Sequence, residues 1–377
     1  MRKLDDLILP HINSIAEYIP GKPVQEVQRE LGLDIEFHKL ASNENTDGVS
    51  PRAIEAIKAE LDNLFRYPEH SCFYAKQALT EEFGFPSDQM ILGNGAVEII
   101  SCLAQILLQP GDESIMAEPS FMWYRIAAEI TNSKLVKIKH PDFIHDLPKM
   151  AEAVNEKTKL VWVCNPNNPT GTMLTKDEVE DFMEIVDDRC LVVFDEAYNR
   201  YVERDDYPDS LQYVREGRNV LVLRTFSKIL GLAGLRIGYG FAPQVLISAL
   251  EKVRPTFSVN SLAQVAVVAG LKDEEFMQKT VQRTWHEKEY FYSECDRLGM
   301  RYLPTEANFI FINTGLDSRD VFNSLKMQGV LIRPGWIFGA PSWIRVTISS
   351  HDENQMFFSA MEKTLNNLEQ SLSPQEV

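Results

Sequence analysis

The sequence predicts an α/β protein whose large domain is built on a mostly parallel central sheet flanked by helices, followed by a smaller α/β C-terminal domain. Three apolar runs without polar alternation carry this prediction: VWVC at 161–164, LVVF at 191–194 and VLVL at 220–223. Strands that are buried on both faces have this pattern, and a spacing of about 30 residues is typical of repeated strand–helix–strand units.

The segment between the first two runs indicates a helix. Thr175 and Glu178 have the spacing of a capping box, and VEDFMEIVDD follows with apolar residues at helical intervals. A right-handed crossover through such a helix makes the flanking strands parallel. Parallel sheets bind ligands beyond the carboxyl ends of their strands, so the residues after each run are the candidates for function.

Length and pattern divide the chain into parts. Its 377 residues exceed what a single ordinary core holds, which favours two domains. After about residue 258 the pattern changes to long helical stretches and shorter strands. The predicted division is an N-terminal arm at 1–35, a large ligand-binding domain at 36–257 and a small C-terminal domain at 258–377.

Composition restricts the class of protein. A net charge of −17 would repel nucleic acid and anionic membranes, and no apolar stretch reaches the ~20 residues of a membrane span. The N-terminus lacks the apolar run of a signal peptide. The five cysteines are widely spaced without a zinc-ligand pattern, which favours reduced thiols. We expect a cytoplasmic protein that binds no metal, nucleic acid or membrane, and that holds anionic ligands with local arginines and backbone amides.

The residues that follow the three runs are polar and chemically distinctive. Asn168 follows the first run, Asp195 and Tyr198 the second, and Lys228 the third. A lone lysine is most often an exposed loop residue, but a lysine at the end of a buried strand has a lowered pKa and attacks aldehydes. An acid on the adjacent strand is what a pyridine nitrogen needs to stay protonated. If the pyridine ring of a ligand also carries a phenolate oxygen, Tyr198 and Asn168 can bind that oxygen.

A phosphate site is predicted beside these residues. The segment GNGAV places backbone amides at the start of a predicted helix, where anions bind. Arg236, eight residues after Lys228, can return to the same crevice and pair with a phosphate through its planar guanidinium. The predicted site consists of the amides of Ala96 and Val97, the hydroxyls of Thr225 and Ser227, and the guanidinium of Arg236.

Together these motifs resemble a known family. NPNNPTG, DEAY, TFSK and GLAGLRIGYG, in this order, resemble the fold-type I, class II aminotransferases that depend on pyridoxal 5′-phosphate. LASNEN at 40–45 and RYPE at 66–69 narrow the resemblance to histidinol-phosphate aminotransferases. It extends from about residue 22 to residue 365. Each motif alone is weak, but the six together in the family's order are specific.

The resemblance implies roles for individual residues. Lys228 would carry the cofactor as a Schiff base, with Asp195 and Tyr198 as further catalytic residues. Tyr67 would reach the cofactor phosphate of the neighbouring subunit, which implies a homodimer with shared sites. The implied cofactor contacts are Asp195 at the ring nitrogen, Asn168 and Tyr198 at O3′, Phe121 on the ring face, and Ala96, Val97, Thr225, Ser227 and Arg236 at the phosphate. The implied substrate contacts are Asn43, Arg345 at the α-carboxylate, and Tyr18 and Arg333 at the far phosphate.

The sequence departs from the family at several positions. Phe121 stands where a tyrosine usually stacks on the cofactor, so the stacking would persist without the hydroxyl. Val97 replaces a common acidic residue, which matters little if only its amide is used. Trp336 and Phe338 are expected near the substrate arginines, where relatives are less aromatic. These two residues leave the side-chain specificity for the amino donor open.

Other functions stay open at this point. An aminotransferase for aromatic amino acids and a phosphothreonine-type decarboxylase would share the Lys228 chemistry, although a decarboxylase releases carbon dioxide and needs no keto-acid acceptor. A nucleotide-binding dehydrogenase would use the glycines at 93 and 95, but the third glycine of its loop is missing. A catalytically silent scaffold is the third alternative, and the intact lysine, aspartate and arginine argue against it.

Overall fold

The structure, a computed structural model, describes residues 3–17, 21–32, 35–140 and 142–372. Within these ranges the helices are α1 (Val24–Leu31), α2 (Pro51–Glu60), α3 (Phe73–Phe83), α4 (Ala96–Leu107), α5 (Met122–Ile130), α6 (Leu147–Glu152), α7 (Lys176–Val186), α8 (Leu211–Arg215), α9 (Gln244–Val253), α10 (Ser261–Gly270), α11 (Glu274–Arg297), α12 (Ser318–Met327) and α13 (His351–Leu372). The strands are β1 (His38–Lys39), β2 (Met90–Gly93), β3 (Glu113–Glu118), β4 (Lys134–Lys139), β5 (Thr158–Cys164), β6 (Leu191–Asp195), β7 (Val220–Thr225), β8 (Gly238–Phe241), β9 (Arg301–Leu303), β10 (Phe309–Asn313), β11 (Val330–Leu331), β12 (Arg333–Pro334) and β13 (Trp343–Thr347).

The large sheet, seven-stranded within the described residues, has the order β2-β8-β7-β6-β5-β3-β4. All neighbours are parallel except at β8, which runs antiparallel to both β2 and β7. The predicted parallel strands at 161–164, 191–194 and 220–223 are confirmed as β5, β6 and β7. Their side chains are buried almost throughout, as expected for strands that are covered by helices on both faces.

The predicted capping box is confirmed at the start of α7. The backbone N–H of Glu178 donates to the Thr175 hydroxyl (3.4 Å), and the Glu178 carboxylate accepts from the backbone N–H of Thr175 (2.7 Å). These two bonds satisfy backbone groups that the helix leaves unpaired. The helix then crosses the sheet between β5 and β6, and this crossover keeps the two strands parallel.

The small domain contains an antiparallel sheet of order β12-β13-β10-β9, four-stranded in the described part of the chain. Apolar side chains from this sheet and from α11, α12 and α13 form its core. Strand β1 pairs in parallel with β11, and Leu40 lies in the same core. The segment that follows α1 is therefore attached to the small domain before the chain enters the large one.

The apolar cores of the structure do not follow the predicted domain boundaries closely. Ala263, Ala266 and Val267 of α10 lie in the apolar cluster of the large sheet, although they follow residue 258. In the arm, His11 hydrogen-bonds to the carbonyl of Ile130 in α5 (3.1 Å), whereas Val27 of α1 packs with Leu331 of the small domain. The predicted division at 1–35, 36–257 and 258–377 stays a prediction about folding units.

Membrane-spanning helices, disulfides and clusters of metal ligands are absent from the described residues. No helix among them is long and apolar enough to cross a membrane. All five cysteines lie in the described ranges and are buried as free thiols. No group of three or more His, Cys, Asp and Glu side chains suited to a metal ion occurs in these ranges.

Candidate active site

A cavity of about 340 Å³ lies where the carboxyl ends of β5, β6 and β7 face the small sheet. Parallel sheets bind ligands at this position, and the volume suits a small molecule. The predicted residues that line it are Asn43, Ala96, Val97, Phe121, Asn168, Asp195, Tyr198, Thr225, Ser227, Lys228, Arg236, Arg333 and Arg345. Folding therefore brings together most of the side chains that the sequence singles out.

Lys228 lies in the turn after β7, and its amine points into the cavity. Nζ donates a hydrogen bond to the carbonyl oxygen of Ser42 (3.0 Å) and lies 5.8 Å from the centre of the Tyr198 ring. Burial, and next the positive charge of Arg345, lower the pKa of Lys228 to about 7. A substantial fraction of the amine is therefore neutral near pH 7, which is the form that acts as a nucleophile.

Asp195 ends β6 and is almost fully buried beside the same cavity. One carboxylate oxygen accepts from the Tyr124 hydroxyl (2.7 Å), and the other accepts from the backbone N–H of Ala197 (3.2 Å). Burial raises the pKa of Asp195 to about 6, while these two bonds oppose the rise. A cation beside the carboxylate would favour the charged form, so the site suits a protonated ring nitrogen.

Tyr198 is held by two asparagines at the bottom of the cavity. Its hydroxyl oxygen accepts hydrogen bonds from the side-chain amides of Asn43 (3.0 Å) and Asn168 (3.3 Å). Because both bonds use the oxygen as acceptor, the hydroxyl proton is oriented for donation to a ligand. Burial raises the pKa of Tyr198, so this proton stays on the phenol at neutral pH.

Two arginines of the small sheet face the large domain. Arg333 of β12 and Arg345 of β13 are directly opposite each other in the antiparallel register, so their side chains leave the sheet on the same face. Both side chains are buried. Arg345 donates to the Asn168 side-chain oxygen and to the Ala41 carbonyl oxygen, each at 2.6 Å. Through Asn168 and Tyr198 it is thus connected to the strand ends of the large domain.

The N-terminus of α4 and Arg236 form the other side of the cavity. Gly95 has a φ of +76°, a conformation that favours glycine, and a Cβ there would lie 2.5 Å from an Arg236 guanidinium nitrogen and displace the arginine from this turn. Within the described residues Arg236 makes no ion pair with an acidic side chain and donates to a backbone carbonyl. The Thr225 and Ser227 hydroxyls are bonded to each other (3.0 Å). Helix amides, hydroxyls and a guanidinium are together suited to a phosphate.

Two predicted site residues are not in this group. Tyr67 is 83% exposed, stacks on Phe257 with 4.9 Å between ring centres, and does not line the cavity. Its predicted contact is with a second subunit, so it stays a prediction. Tyr18 lies outside the described residues.

The aromatic residues expected near the substrate arginines are divided between two places. The Trp336 ring lies beneath the Arg319 guanidinium (4.8 Å) and lines a neighbouring cavity. Phe338 lies 5.6 Å from the Arg345 guanidinium but does not line the main cavity. Among the described residues that do line it, the aromatic side chains belong to Phe121 and Tyr198.

Two contributors to the site were not found from the sequence. The Ser42 carbonyl oxygen binds Lys228, but a backbone acceptor leaves no signal in residue type. Tyr124 donates to Asp195 from the first turn of α5. Its position three residues after Phe121 was an available signal, since residues at that spacing lie on one face of a helix.

Comparison with known proteins gives a consistent family assignment. The family model described as aminotransferase class I and II matches residues 35–358. A histidinol-phosphate aminotransferase from Moorella thermoacetica is 48% identical over 355 residues, which cover 94% of this chain and 92% of that protein. A histidinol-phosphate aminotransferase 2 from Carboxydothermus hydrogenoformans is 46% identical, with 94% and 98% covered.

Solved structures share the fold at lower sequence identity. A histidinol-phosphate aminotransferase from Sinorhizobium meliloti, crystallised with pyridoxal 5′-phosphate, matches with a TM-score of 0.89 and 23% identity over 96% of this chain and 98% of that one. An aspartate aminotransferase from Thermotoga maritima matches with a TM-score of 0.84 and 20% identity, covering 95% and 100%. These matches confirm the predicted α/β fold, with a mostly parallel central sheet flanked by helices.

The lowered pKa of Lys228 predicts selective reactivity. An amine-reactive reagent should label Lys228 half-maximally near pH 7, well below the pKa of about 10.4 of an ordinary lysine. Arg345→Met should move this midpoint upward, because it removes the positive charge that lowers the pKa of Lys228 most. Labelling is measured by mass spectrometry of peptides across pH, with exposed Lys252 as internal control. A Lys228 midpoint equal to that of Lys252 would contradict the prediction.

Proposed function

We propose that this chain, which belongs to the class I and II aminotransferases, uses pyridoxal 5′-phosphate to transfer an amino group from histidinol phosphate to 2-oxoglutarate. The observation that carries the choice of substrates is the pair of buried arginines, Arg333 and Arg345, on the face of the small sheet that lines the Lys228 cavity. Relatives that are 48% and 46% identical over most of the chain bear the name of this activity.

The residues of the cavity fit the cofactor. When bound, pyridoxal phosphate supplies an aldehyde and a ring that withdraws electrons from the bonds of an attached amine. Asp195 would hold the proton of its ring nitrogen, and Asn168 and Tyr198 would bind its phenolate oxygen. The phosphate would be bound by the first amides of α4 and by the Arg236 guanidinium, which has no acidic partner among the described residues.

Lys228 has two roles in the proposed reaction. Its neutral amine would hold the cofactor aldehyde, with water as the leaving group. Once the amine of the substrate has displaced it, Nζ would be free to take up and return the proton of the substrate carbon. A pKa near 7 suits both roles, because Nζ then exchanges protons readily at neutral pH. The Ser42 carbonyl oxygen accepts from Nζ and fixes the direction in which the amine points.

The two arginines suit a pair of anionic substrates. Glutamate and 2-oxoglutarate carry two carboxylates, whereas histidinol phosphate carries a phosphate and no carboxylate. Arg345 can therefore bind a carboxylate of glutamate or 2-oxoglutarate, and Arg333 beside it adds a contact for the phosphate of histidinol phosphate, since a planar guanidinium fits both anions. Trp336 and Phe338 do not line the cavity, which favours this polar donor over an aromatic amino acid.

A homodimer with shared sites also forms part of the proposal. Support comes from a group of large apolar side chains near α2 and α3 that are exposed in the single chain. An exposed apolar patch of this kind indicates a protein–protein interface. The exposed residues are Leu61, Leu64, Phe65, Tyr67, Phe73 and Tyr74. Tyr67 would then reach the cofactor phosphate of the other subunit.

We further propose that the enzyme acts in the cytoplasm. The free, buried state of its five cysteines supports this location, because such thiols suit a reducing compartment. A fractionation experiment with an antibody against the protein would locate it directly.

Covalent attachment of the cofactor should depend on Lys228 alone. Wild-type protein loaded with pyridoxal phosphate should absorb visible light, and borohydride should fix the cofactor mass to the peptide that contains Lys228. The Lys228→Ala variant should show neither property, because no other amine lies in the cavity among the described residues. Lys252→Ala is the control. Reduction of the cofactor onto another lysine in Lys228→Ala would contradict this assignment.

Substrate choice should separate the two arginines. Arg333→Ala should lower kcat/KM for histidinol phosphate by about 10–100-fold and affect glutamate much less, whereas Arg345→Ala should impair both substrates. Arg319→Ala, at an exposed arginine outside the main cavity, is the control. The assay compares histidinol phosphate, phenylalanine and tyrosine with 2-oxoglutarate as acceptor. A clear preference for the aromatic donors would defeat the proposed substrate and leave the aminotransferase standing.

Subunit mixing tests the shared site. If Tyr67 acts in the neighbouring subunit, a dimer of one Tyr67→Ala chain and one Lys228→Ala chain has one complete site. Random mixing of equal amounts should then restore about a quarter of wild-type activity, because half of the dimers are mixed and each has one complete site of two. Light scattering verifies the dimer and native mass spectrometry the exchange. No recovery after verified exchange would show that Tyr67 serves its own subunit or none.

A further inference from the structure

Tyr124 contacts Asp195 and Phe121, the residues expected at the ring nitrogen and on the ring face of the cofactor. Tyr124 itself does not line the cavity. Its hydroxyl donates to Asp195 at 2.7 Å. Its ring meets the Phe121 ring edge to face, with 5.5 Å between centres, and stacks on the Trp162 ring at 4.8 Å with an angle of 5° between the planes. The side chain is completely buried. One buried residue is thus in contact with the carboxylate at one edge of the ring site and the aromatic side chain at its face.

We infer that Tyr124 is a positioning residue that keeps Asp195 charged and aligned for the cofactor's ring nitrogen and holds Phe121 against the ring. This inference rests on the proposed function, because it requires a cofactor whose ring nitrogen meets Asp195. Tyr124 would act through these two residues and would not touch the cofactor.

The hydroxyl has a specific effect on Asp195. A buried carboxylate must be hydrogen-bonded, and the described donors to Asp195 are the Tyr124 hydroxyl and one backbone N–H. Burial raises the pKa of Asp195 to about 6, and the bond from Tyr124 lowers it. Burial also raises the pKa of Tyr124 itself, so the phenol keeps its proton and remains a donor. The bond therefore favours the carboxylate that a protonated ring nitrogen requires.

The ring of Tyr124 is fixed by the same strands that carry Asp195. Trp162, on which it stacks, is paired with Val193 across the β5–β6 ladder, and two residues further along Cys164 is paired with Asp195. At its other edge Tyr124 follows Phe121 by three residues in the first turn of α5, where its backbone N–H donates to the Phe121 carbonyl (3.2 Å). The contacts of Tyr124 therefore tie the positions of Asp195 and Phe121 to the paired strands β5 and β6.

The test removes the hydroxyl and keeps the ring. Affinity for pyridoxal phosphate is measured by absorbance and fluorescence titration from pH 5 to pH 9, in wild type and in Tyr124→Phe. A protonated Asp195 has no charge to hold the ring nitrogen's proton, so affinity falls as the pH falls through the pKa of Asp195. In Tyr124→Phe we expect this fall to begin about one pH unit higher, so that the dissociation constant rises about tenfold at pH 5 and only about twofold at pH 7. Tyr201→Phe is the control, because that buried hydroxyl has no hydrogen-bond partner among the described residues.

A double variant separates positioning from general packing. If Tyr124 acts through Asp195, adding Tyr124→Phe to Asp195→Asn should leave the affinity unchanged, because the charge that the hydroxyl stabilises is already absent. If Tyr124→Phe alone does not fold, Asp195→Asn compared with the double variant still tests the inference, because a further loss of affinity in the double variant would overturn it. An equal loss of affinity in both backgrounds, or a pH profile identical to wild type, would overturn the inference. Failure of the wild-type protein to bind pyridoxal phosphate would instead overturn the proposed function.

Discussion

The site depends on the parallel pairing of β5, β6 and β7. In this ladder Cys164 is paired with Asp195, and Asp195 with Leu223, so the three strands end at nearly the same level. Neighbouring strands lie about 4.8 Å apart. The loops that follow the three strands are therefore close enough to contact the same small molecule. An acid, two hydrogen-bonding side chains and a lysine from segments 30 residues apart thereby meet without any one loop having to carry them all. A slip of one residue in this pairing would turn Asp195 to the opposite face of the sheet.

Local charge in the cavity is opposite to that of the whole chain. The protein carries a net charge of −17, yet Lys228, Arg236, Arg333 and Arg345 all line one cavity. Burying cations is unfavourable unless they are bonded or face an anion. Here the carbonyls of Ser42, Ala41 and Ala233 accept from three of them, and an anionic ligand would meet the positive potential of the group. The overall negative charge therefore says little about ligand choice, because the described lining of the cavity combines these four basic side chains with two acidic ones, Glu44 and Asp195.

The sequence predicted the strands, the α7 cap and most of the cavity, because continuous apolar runs, turn chemistry and the polar residues at strand ends are all local signals. It did not predict that the apolar face of α10 packs on the large sheet, since periodicity shows that a helix has a buried face but not which core receives it. The antiparallel insertion of β8 between β2 and β7 was missed for a similar reason. Ser42 contributes through a backbone atom, and Tyr124 acts behind the cavity wall. The role proposed for Tyr67 requires a second subunit, so a single chain does not test it.

The closeness of Arg345 to Lys228 makes the strength of the base depend on what occupies the cavity. In the free site the guanidinium helps to hold the pKa of the amine near 7, which keeps it ready to attach the cofactor. An anion bound to Arg345 cancels much of that field, because opposite charges at short range neutralise each other's influence on a third group. The amine of Lys228 then becomes more basic only while an anionic partner is present. The enzyme would thus have an unprotonated nucleophile in the free site and a stronger proton acceptor when an anion is bound. No conformational change would be needed to switch between the two.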